Sequence, residues 1–478
     1  EDVLLNEEIT PNPAKVYKSG NRVDGTMMQL DVVDDYTFRI IFDEPGLALV
    51  AAWSAYAQSW SSYMRPAHYM KQFHRKYADP EALKALLVAE NLPEEEWWRY
   101  YQQRDEGTRN WTNLLNVDAD YPTLNPWMLE TRAPGVVTYV RNPYYWKVDT
   151  EGKQLPYIDR IRVEILSNSE AVTMKILAGE VDWAREYASM VNLPLYKENE
   201  ERAGFRVNIL GMHVAPLQWR FNFTHPDPVW QQVTRDVRFR KALNMAINHK
   251  QVVDIVYQGF GGEPDILGVT YDPQGASALL DEMGMDKRDA DGWRLGPDGN
   301  TFVFPLEVQQ GFTPELDALS ELVVEYWQDI GIRTDYRPIE ATLYATMQNA
   351  NELYTYYGWA HTSMWRDAPT SSDFVPNARL WDLWRTTGGT EGVEPDLPWA
   401  KRLMEIADTA DNFIMTQTDT QALHDEMWEI LRTEVPTVMP IDYAVYPLLG
   451  SARLGNVPTD GYAIVASFTE EQFYFKPD

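Results

Sequence analysis

Two spacings of apolar residues alternate along this chain and predict a mixed α/β fold. Between Ile161 and Leu166, apolar and charged residues alternate with the two-residue period of a half-buried strand. The same alternation over Met27–Val33 and Tyr36–Phe42 predicts two strands joined as a hairpin. In Val237–Ile247 and Pro314–Ile330 the apolar residues recur at three and four positions, which predicts helices with one buried face.

Residues with capping chemistry mark where these elements begin and end. Asp79-Pro80 predicts a helix start, with the carboxylate as cap and the proline in the first turn. Ser169 and Thr313 occupy the places where N-caps are expected. Gly179 and Gly331 follow the last apolar residues of their helices, where a left-handed glycine commonly ends a helix.

Four basic residues crowd the start of the helix predicted at Val237–Ile247. They are Arg235, Arg238, Arg240 and Lys241. This is the unfavourable end of the helix dipole for cations. Our interpretation is a solvated face that offsets the acidic surface.

Composition narrows the classes of protein. The chain has 478 residues and a formal net charge of −30, so nucleic-acid phosphates and anionic membrane surfaces are repelled as partners. Its length predicts two or three domains, and it lacks an apolar run of 18 residues. Cysteine is absent, which excludes disulfides and thiol chemistry. The 18 tryptophans exceed what a core of this size needs, so some are expected at a binding surface.

One aromatic group has two interpretations. Trp53, Tyr56, Trp60 and Tyr63 are spaced so that all four share one helical face. That face is either buried or exposed to a ligand as an aromatic shelf.

Three stretches together resemble the family 5 extracellular solute-binding proteins. The first, Arg141–Ala184, contains RNPYYW, LPYIDRI and AGEVDWA. The second, Phe221–Gly261, resembles the family's segment of strand, arginine-rich helix and "VY-G-G". The third, Tyr357–Pro376, is similar to its "GW…P…F" loop. They occur in the family's order, although Pro122–Trp127 departs from the glycine-rich turn that members carry there.

The resemblance implies an α/β, periplasmic-binding-protein-like fold (type II, cluster C), with lobes around a central ligand cleft and a discontinuous main lobe. We expect a small lobe at 1–118, the main lobe at 119–216 and again at 446–478, and a second large lobe at 217–445. The first residues read like the interior of a domain, so a preceding segment that completes a lobe is expected.

The function that the resemblance implies is capture of a solute outside the cytoplasm for an ABC importer. Peptide-binding members carry an acidic residue shortly after the "GW" pair, but His361 follows Gly358-Trp359-Ala360 here and the nearest acid is Asp367. Tryptophan in this loop favours an oligosaccharide, because a pyranose ring has an apolar face that stacks on indole. A peptide remains the alternative, and a carbohydrate hydrolase is a third hypothesis. Trp359 and Trp365 either stack on the ligand or are buried.

The predicted ligand-binding residues are Trp359, Trp365, Arg366, Asp367, His361, Trp60, Trp53, Trp219 and Asn222. We expect no cofactor, since His68 and His74 lie six residues apart and are poorly spaced as metal ligands on one helix. The turn at Asp289–Gly292 lacks the further acids of a calcium loop. No catalytic motif is present, so we expect a binding protein rather than an enzyme. The expected partners are a small solute and the importer's permease subunits. A monomer is expected, in the periplasm or lipid-anchored at the cell surface.

Overall fold

A computed structural model describes most of the chain. The described residues are 2–11, 13, 15–44, 49, 65–105, 118–184, 188–212, 215–264, 267–360, 378–410, 417–463 and 469–477. None of the helices within these ranges is long and apolar enough to cross a bilayer.

Strands and helices are mixed through these ranges. The strands are β1 (Gln29–Asp34), β2 (Thr37–Ile41), β3 (Trp127–Ala133), β4 (Val136–Arg141), β5 (Arg160–Glu164), β6 (Trp183–Ala184), β7 (Phe205–Gly211), β8 (Ala215–Phe221), β9 (Val303–Gln309), β10 (Arg333–Ile339), β11 (Thr355–Ala360), β12 (Thr437–Val438), β13 (Val445–Ser451), β14 (Leu454–Gly455) and β15 (Tyr474–Phe475). The helices are α1 (Ala67–Met70), α2 (Pro80–Ala89), α3 (Trp97–Arg104), α4 (Ser169–Leu177), α5 (Leu193–Ala203), α6 (Pro228–Arg235), α7 (Val237–Met245), α8 (His249–Val256), α9 (Pro273–Glu282), α10 (Leu316–Asp329), α11 (Ala341–Asn349), α12 (Arg379–Thr386), α13 (Pro398–Ala410) and α14 (Gln417–Glu434).

Most of the predicted helix ends are confirmed. The Asp79 side chain accepts a hydrogen bond from the Ala82 amide and caps α2. Gly179 and Gly331 have φ values of +73° and +87°, the left-handed conformation that ends a helix. Two caps were predicted one or two residues away from the observed residue. Asn168, not Ser169, caps α4, because its side chain accepts from the Ala171 amide.

The second displaced cap is at α10. Glu315 occupies the N-cap position there instead of Thr313, and its side chain makes no capping hydrogen bond. The Glu315 carboxylate bonds elsewhere, to the amide of Met190. A tertiary contact therefore outweighed the local capping preference.

The predicted hairpin is confirmed as β1 paired antiparallel with β2, with Gln29 opposite Ile41. It forms a two-stranded sheet on its own. Its apolar side chains are largely open to solvent, and Tyr36 at the turn is 97% exposed. This hairpin thus contributes little to the cores formed by the described residues.

Three three-stranded sheets occur in the described residues, and β3-β4-β5 is one of them. The other two are connected by the chain crossings that matter for the site. One has the order β11-β8-β12 and the other β6-β13-β7, and all pairs in both are antiparallel. The chain crosses from the second sheet to the first between Gly211 and Ala215, and crosses back between Val438 and Val445. Such a return is what a discontinuous main lobe requires, while the domain boundaries themselves stay a prediction.

The largest hydrophobic cluster of the described residues packs around β8 and also includes residues of β7 and β13. Trp219 of β8 packs edge-on against Trp327 of α10, with ring centroids 6.1 Å apart. Phe304 of β9 contacts the same indole at 5.0 Å. The parallel pair β9 and β10 continues this α/β layer. The central strand β8 is therefore fixed on its apolar face, which sets the position of its neighbour β11.

The interpretation of the arginine cluster as a solvated face was wrong for Arg240. Its side chain is fully buried, and its guanidinium donates to the carbonyls of Thr234 and Glu434. The group also lies over the Trp399 ring at 5.4 Å. Arg240 therefore joins α7 to the end of α14.

Candidate functional site

Trp359 lies one residue before the end of β11, at the edge of the β11-β8-β12 sheet. Trp359 is 38% exposed, whereas Tyr356, three residues earlier on the same strand, is buried. Alternation along a strand places Tyr357 and Trp359 on one face and Tyr356 on the other. Trp359 thus presents part of a large aromatic surface to solvent from a rigid strand.

Two further rings support this indole. Phe312, in the loop after β9, lies 5.0 Å from the Trp359 ring and 4.5 Å from the Tyr357 ring. Tyr344 of α11 backs Tyr357 at 5.2 Å. We call Phe312, Tyr357 and Trp359 the aromatic platform. Because each ring contacts another, the orientation of the exposed indole is set before any ligand arrives.

The backbone of the platform is held from β8. The Trp359 carbonyl accepts hydrogen bonds from Gln218 Nε2 at 2.9 Å and from Arg220 Nη2 at 3.3 Å. Both donors are buried. Neither these two residues nor Phe312 was predicted from the sequence. The available signal was the alternation of Gln218 and Arg220 with apolar Trp219 and Phe221, which puts a buried carboxamide and guanidinium on one face of a central strand.

Trp219 and Asn222 have structural positions. Trp219 is 1% exposed within the core. Asn222 is buried, and its Nδ2 donates to the Leu353 carbonyl at 2.8 Å and to Asn351 Oδ1 at 2.9 Å. These contacts tie the end of β8 to the turn before β11. We therefore leave both out of the proposed surface, and their assignment to the ligand stays a prediction from the sequence.

The remaining predicted site residues lie outside the described residues. They are Trp53, Trp60, His361, Trp365, Arg366 and Asp367. Their assignment to a ligand site stays a prediction from the sequence.

A buried carboxylate lies three residues beyond Phe312. Glu315 accepts a 2.8 Å hydrogen bond from the Met190 amide, and desolvation by burial raises its pKa. The phenol of Tyr257 is fully buried nearby, and burial together with the Glu315 charge raises its pKa well above its ordinary value. Tyr357 of the platform has a pKa raised by burial alone. The two phenols are therefore neutral at physiological pH.

The platform can offer a partly exposed indole whose orientation is fixed by its neighbours. Within the described ranges, no cluster of three or more histidine, aspartate or glutamate side chains is arranged to hold a metal ion. An arrangement of this kind suits recognition of an amphipathic, ring-containing solute.

Comparison with known proteins gives consistent results. The model of the bacterial extracellular solute-binding proteins, family 5, matches residues 3–381. A probable ABC transporter-binding protein of Deinococcus radiodurans is 24% identical, over 51% of this chain and 44% of that protein. The periplasmic alpha-galactoside-binding protein of Rhizobium meliloti is 21% identical, over 98% of this chain and 67% of that protein. The chain thus spans between about half and two thirds of these relatives.

Solved structures resemble the chain at similar levels. The periplasmic binding protein MelB of Agrobacterium fabrum C58, in complex with stachyose, is 18% identical with a TM-score of 0.66, covering all of this chain and 69% of that one. An oligopeptide-binding protein OppA is 24% identical with a TM-score of 0.59, covering all of this chain and 78% of that one. These likenesses confirm the predicted α/β, periplasmic-binding-protein-like fold. Since the family model matches most of the sequence, this chain belongs to the family 5 bacterial extracellular solute-binding proteins.

Proposed function

We propose that this chain is the substrate receptor of an ABC importer and binds an oligosaccharide, which it delivers to permease subunits. It acts outside the cytoplasm, in the periplasm or at the cell surface, and carries out no catalysis of its own.

The observation that carries this proposal is the partly exposed Trp359 on its aromatic support. A sugar ring has an apolar face that stacks on indole, while its hydroxyls need hydrogen-bonding partners around it. The indole lies at the end of a strand fixed by Gln218 and Arg220, so little side-chain freedom is lost on binding.

The relatives support the same class of ligand. They include a periplasmic alpha-galactoside-binding protein and a periplasmic binding protein in complex with stachyose. A further structure, an oligopeptide-binding protein of Thermotoga maritima with mannohexaose bound, has a TM-score of 0.61 at 16% identity.

A peptide is the second candidate ligand. The dipeptide-binding protein of Escherichia coli is 28% identical over 111 residues, which cover 20% of this chain. A peptide's amino group would need an acidic partner, and the nearest acid after Trp359 in the sequence is Asp367.

Thermal unfolding in the presence of ligands tests the proposal. The protein is melted with stachyose, mannohexaose, cello- and xylo-oligosaccharides, and separately with a peptide mixture. A ligand that binds only the folded protein raises Tm with concentration. We expect a rise with at least one oligosaccharide. A rise with peptides alone would favour the second candidate. Chromatography of the sugar after several hours should recover it intact, and shortened products would indicate a hydrolase.

Substitution of Trp359 tests whether the aromatic platform is the ligand-binding surface. Trp359→Ala should weaken binding of the active sugar at least tenfold, which corresponds to about 1.4 kcal/mol, within the range of interface anchors. Trp146→Ala is the matched control, because Trp146 is also exposed but lies on the loop after β4. Normal binding combined with a much lower Tm in Trp359→Ala would mean that this indole is structural.

A further inference from the structure

Two exposed tyrosines lie where the chain crosses between the β6-β13-β7 sheet and the β11-β8-β12 sheet. Tyr443 comes just before β13 and is 45% exposed. Tyr462 forms a bridge with Gly211, the last residue of β7, and is 41% exposed. Each crossing therefore has a tyrosine ring beside it.

The strand register directs the segment between Val438 and Val445 toward the end of β8 at which Trp359 lies. Strand β8 starts at Ala215, which pairs with Ala360 at the end of β11. On its other side, β12 runs antiparallel to β8 with Thr437 opposite Arg220, so the chain after Val438 runs toward the start of β8. Past Val438, the main-chain carbonyl of Ala444 accepts a 2.8 Å hydrogen bond from the amide of Met212, three residues before Ala215. Tyr443 therefore lies near the same end of β8 as Trp359.

Each tyrosine ring lies against a glycine. A Cβ on Gly262 would approach Tyr443 Cδ2 to 2.8 Å, and a Cβ on Gly211 would approach Tyr462 Cδ1 to 3.1 Å. Gly262 also exchanges two main-chain hydrogen bonds with Asp442, of 2.7 and 2.8 Å. Glycine at these positions permits the close approach of an aromatic ring to the backbone.

The backbone of Tyr443 is strained. Its φ is +47°, in the left-handed region that residues with a Cβ rarely adopt. A bulky side chain in this conformation persists only where the surroundings fix it, and such residues concentrate at functional sites. Here the paired Gly262 segment fixes a ring that remains open to solvent.

We propose that Tyr443 and Tyr462 contact the same ligand as Trp359 and form a second stacking surface for it. This inference rests on the proposed function and adds a second contact surface for the same oligosaccharide. The ligand is an oligosaccharide long enough to reach both surfaces. The rings stack on its apolar faces, and the phenol hydroxyls exchange hydrogen bonds with its hydroxyls.

Paired substitutions test this surface, with stachyose and mannohexaose as probes. Tyr443→Asn removes the ring but suits the left-handed backbone, whereas Tyr443→Phe keeps the ring. We expect Tyr443→Asn and Tyr462→Leu each to weaken binding of the active sugar at least fivefold, and Tyr443→Phe and Tyr462→Phe to stay within about threefold of wild type. Gly262→Ala, which displaces the Tyr443 ring, should weaken binding as Tyr443→Asn does. Tyr36→Asn, on the exposed hairpin, is the control and should bind normally.

The outcomes separate this inference from the proposed function. If Trp359→Ala weakens binding while Tyr443→Asn and Tyr462→Leu bind as wild type, the inference is overturned and the function stands. The same holds if the tyrosine variants lose Tm but not affinity, because the rings are then structural. If no oligosaccharide stabilises the wild-type protein, the proposed function fails and the inference fails with it.

Discussion

The carboxylate of Glu315 accepts a hydrogen bond of 2.8 Å from the main-chain amide of Met190, and both residues are buried. Met190 lies between β6 and α5, whereas Glu315 begins α10, 125 residues further along the chain. A single buried acceptor therefore connects two distant parts of the sequence. The cost is a carboxylate removed from water, which raises its pKa.

Replacing Glu315 by glutamine should stabilise the protein at neutral pH. A carboxyl whose folded pKa is raised contributes stability that is fully present below its unfolded pKa of 4.5 and is lost as pH rises through the folded pKa. The glutamine side chain does not ionise, so it loses no stability as pH rises, and its oxygen can still accept the hydrogen bond from the Met190 amide. Urea unfolding at pH 5 and pH 8 should show the advantage of Glu315→Gln growing with pH.

Two variants serve as controls for Glu315. Glu315→Ala leaves the buried Met190 amide without its acceptor and should cost about 1–3 kcal/mol at either pH. Glu198→Gln, at an exposed position, should leave the pH dependence unchanged. A Glu315→Gln protein that loses stability as pH rises in parallel with wild type would contradict the account.

His249 should make the protein sensitive to mild acid. Its Nδ1 lies 3.0 Å from the Pro440 carbonyl, which only accepts, so Nδ1 carries the proton of the neutral ring. Burial lowers its pKa from 6.5. The stability that this contributes is present above pH 6.5 and is lost as pH falls from there through the folded pKa, at no more than about 1.4 kcal/mol per pH unit.

His249→Asn should reduce this acid sensitivity, because the amide can donate to Pro440 and does not titrate. Denaturant midpoints between pH 7.5 and 5 measure it. Burial also lowers the pKa of His74 and His225, so part of the slope will remain. His68→Asn, at an exposed position, should retain the full slope. An unchanged slope in His249→Asn would show that this ring does not resist protonation.

Arg240 should be hard to replace. Its guanidinium donates to the carbonyls of Thr234 and Glu434 and to the Glu434 carboxylate, and burial lowers its pKa to about 10. Lysine is a point charge and cannot bridge these acceptors. Arg240→Lys and Arg240→Met should each cost about 3–5 kcal/mol, the range for breaking a buried charged pair. Arg333→Lys, on an exposed position of β10, should stay within about 0.5 kcal/mol. Chemical unfolding gives both values.

Asn222 should affect stability and not ligand affinity. Asn222→Ala leaves the Leu353 carbonyl and the Thr224 amide without their side-chain partner, at a cost of about 1–3 kcal/mol. Affinity for the active sugar, measured well below the lowered Tm, should match wild type. Asn349→Ala, at an exposed helix end, controls for loss of an asparagine. A selective loss of affinity would return Asn222 to the binding surface.

The fold could be predicted from the sequence where the local spacing of apolar residues and the tertiary packing agree. The periodicity over Pro314–Ile330 predicted α10, and Gly331 marked its end correctly. Capping was less predictable, because Asn168 and Ser169 are both good caps and only the backbone shows which one bonds. At Glu315 the side chain takes a partner from another part of the chain, which no local rule contains.

The site was only partly accessible for a related reason. Tryptophan is equally suited to a core and to a sugar surface, and the sequence does not tell which face of a strand is covered. Trp219 and Trp359 lie on paired strands, yet one is enclosed by Trp327 and the other is exposed. Arg240 shows the converse. This charged residue is buried because carbonyls at a helix end accept its hydrogen bonds. The helical spacing of Arg240 from Val237 was the one available signal.

The exposed hairpin β1–β2 has a consequence for how molecules of this protein meet in solution. Among the described residues its two strands pair only with each other and carry several solvent-facing apolar side chains, a combination that promotes strand addition between copies. A net charge of −30 keeps copies apart by repulsion. That repulsion reaches about 10 Å at 0.1 M salt but only about 3 Å at 1 M. We therefore expect colloidal stability to be greatest in dilute buffer and to decrease as salt is added, with self-association beginning at the hairpin.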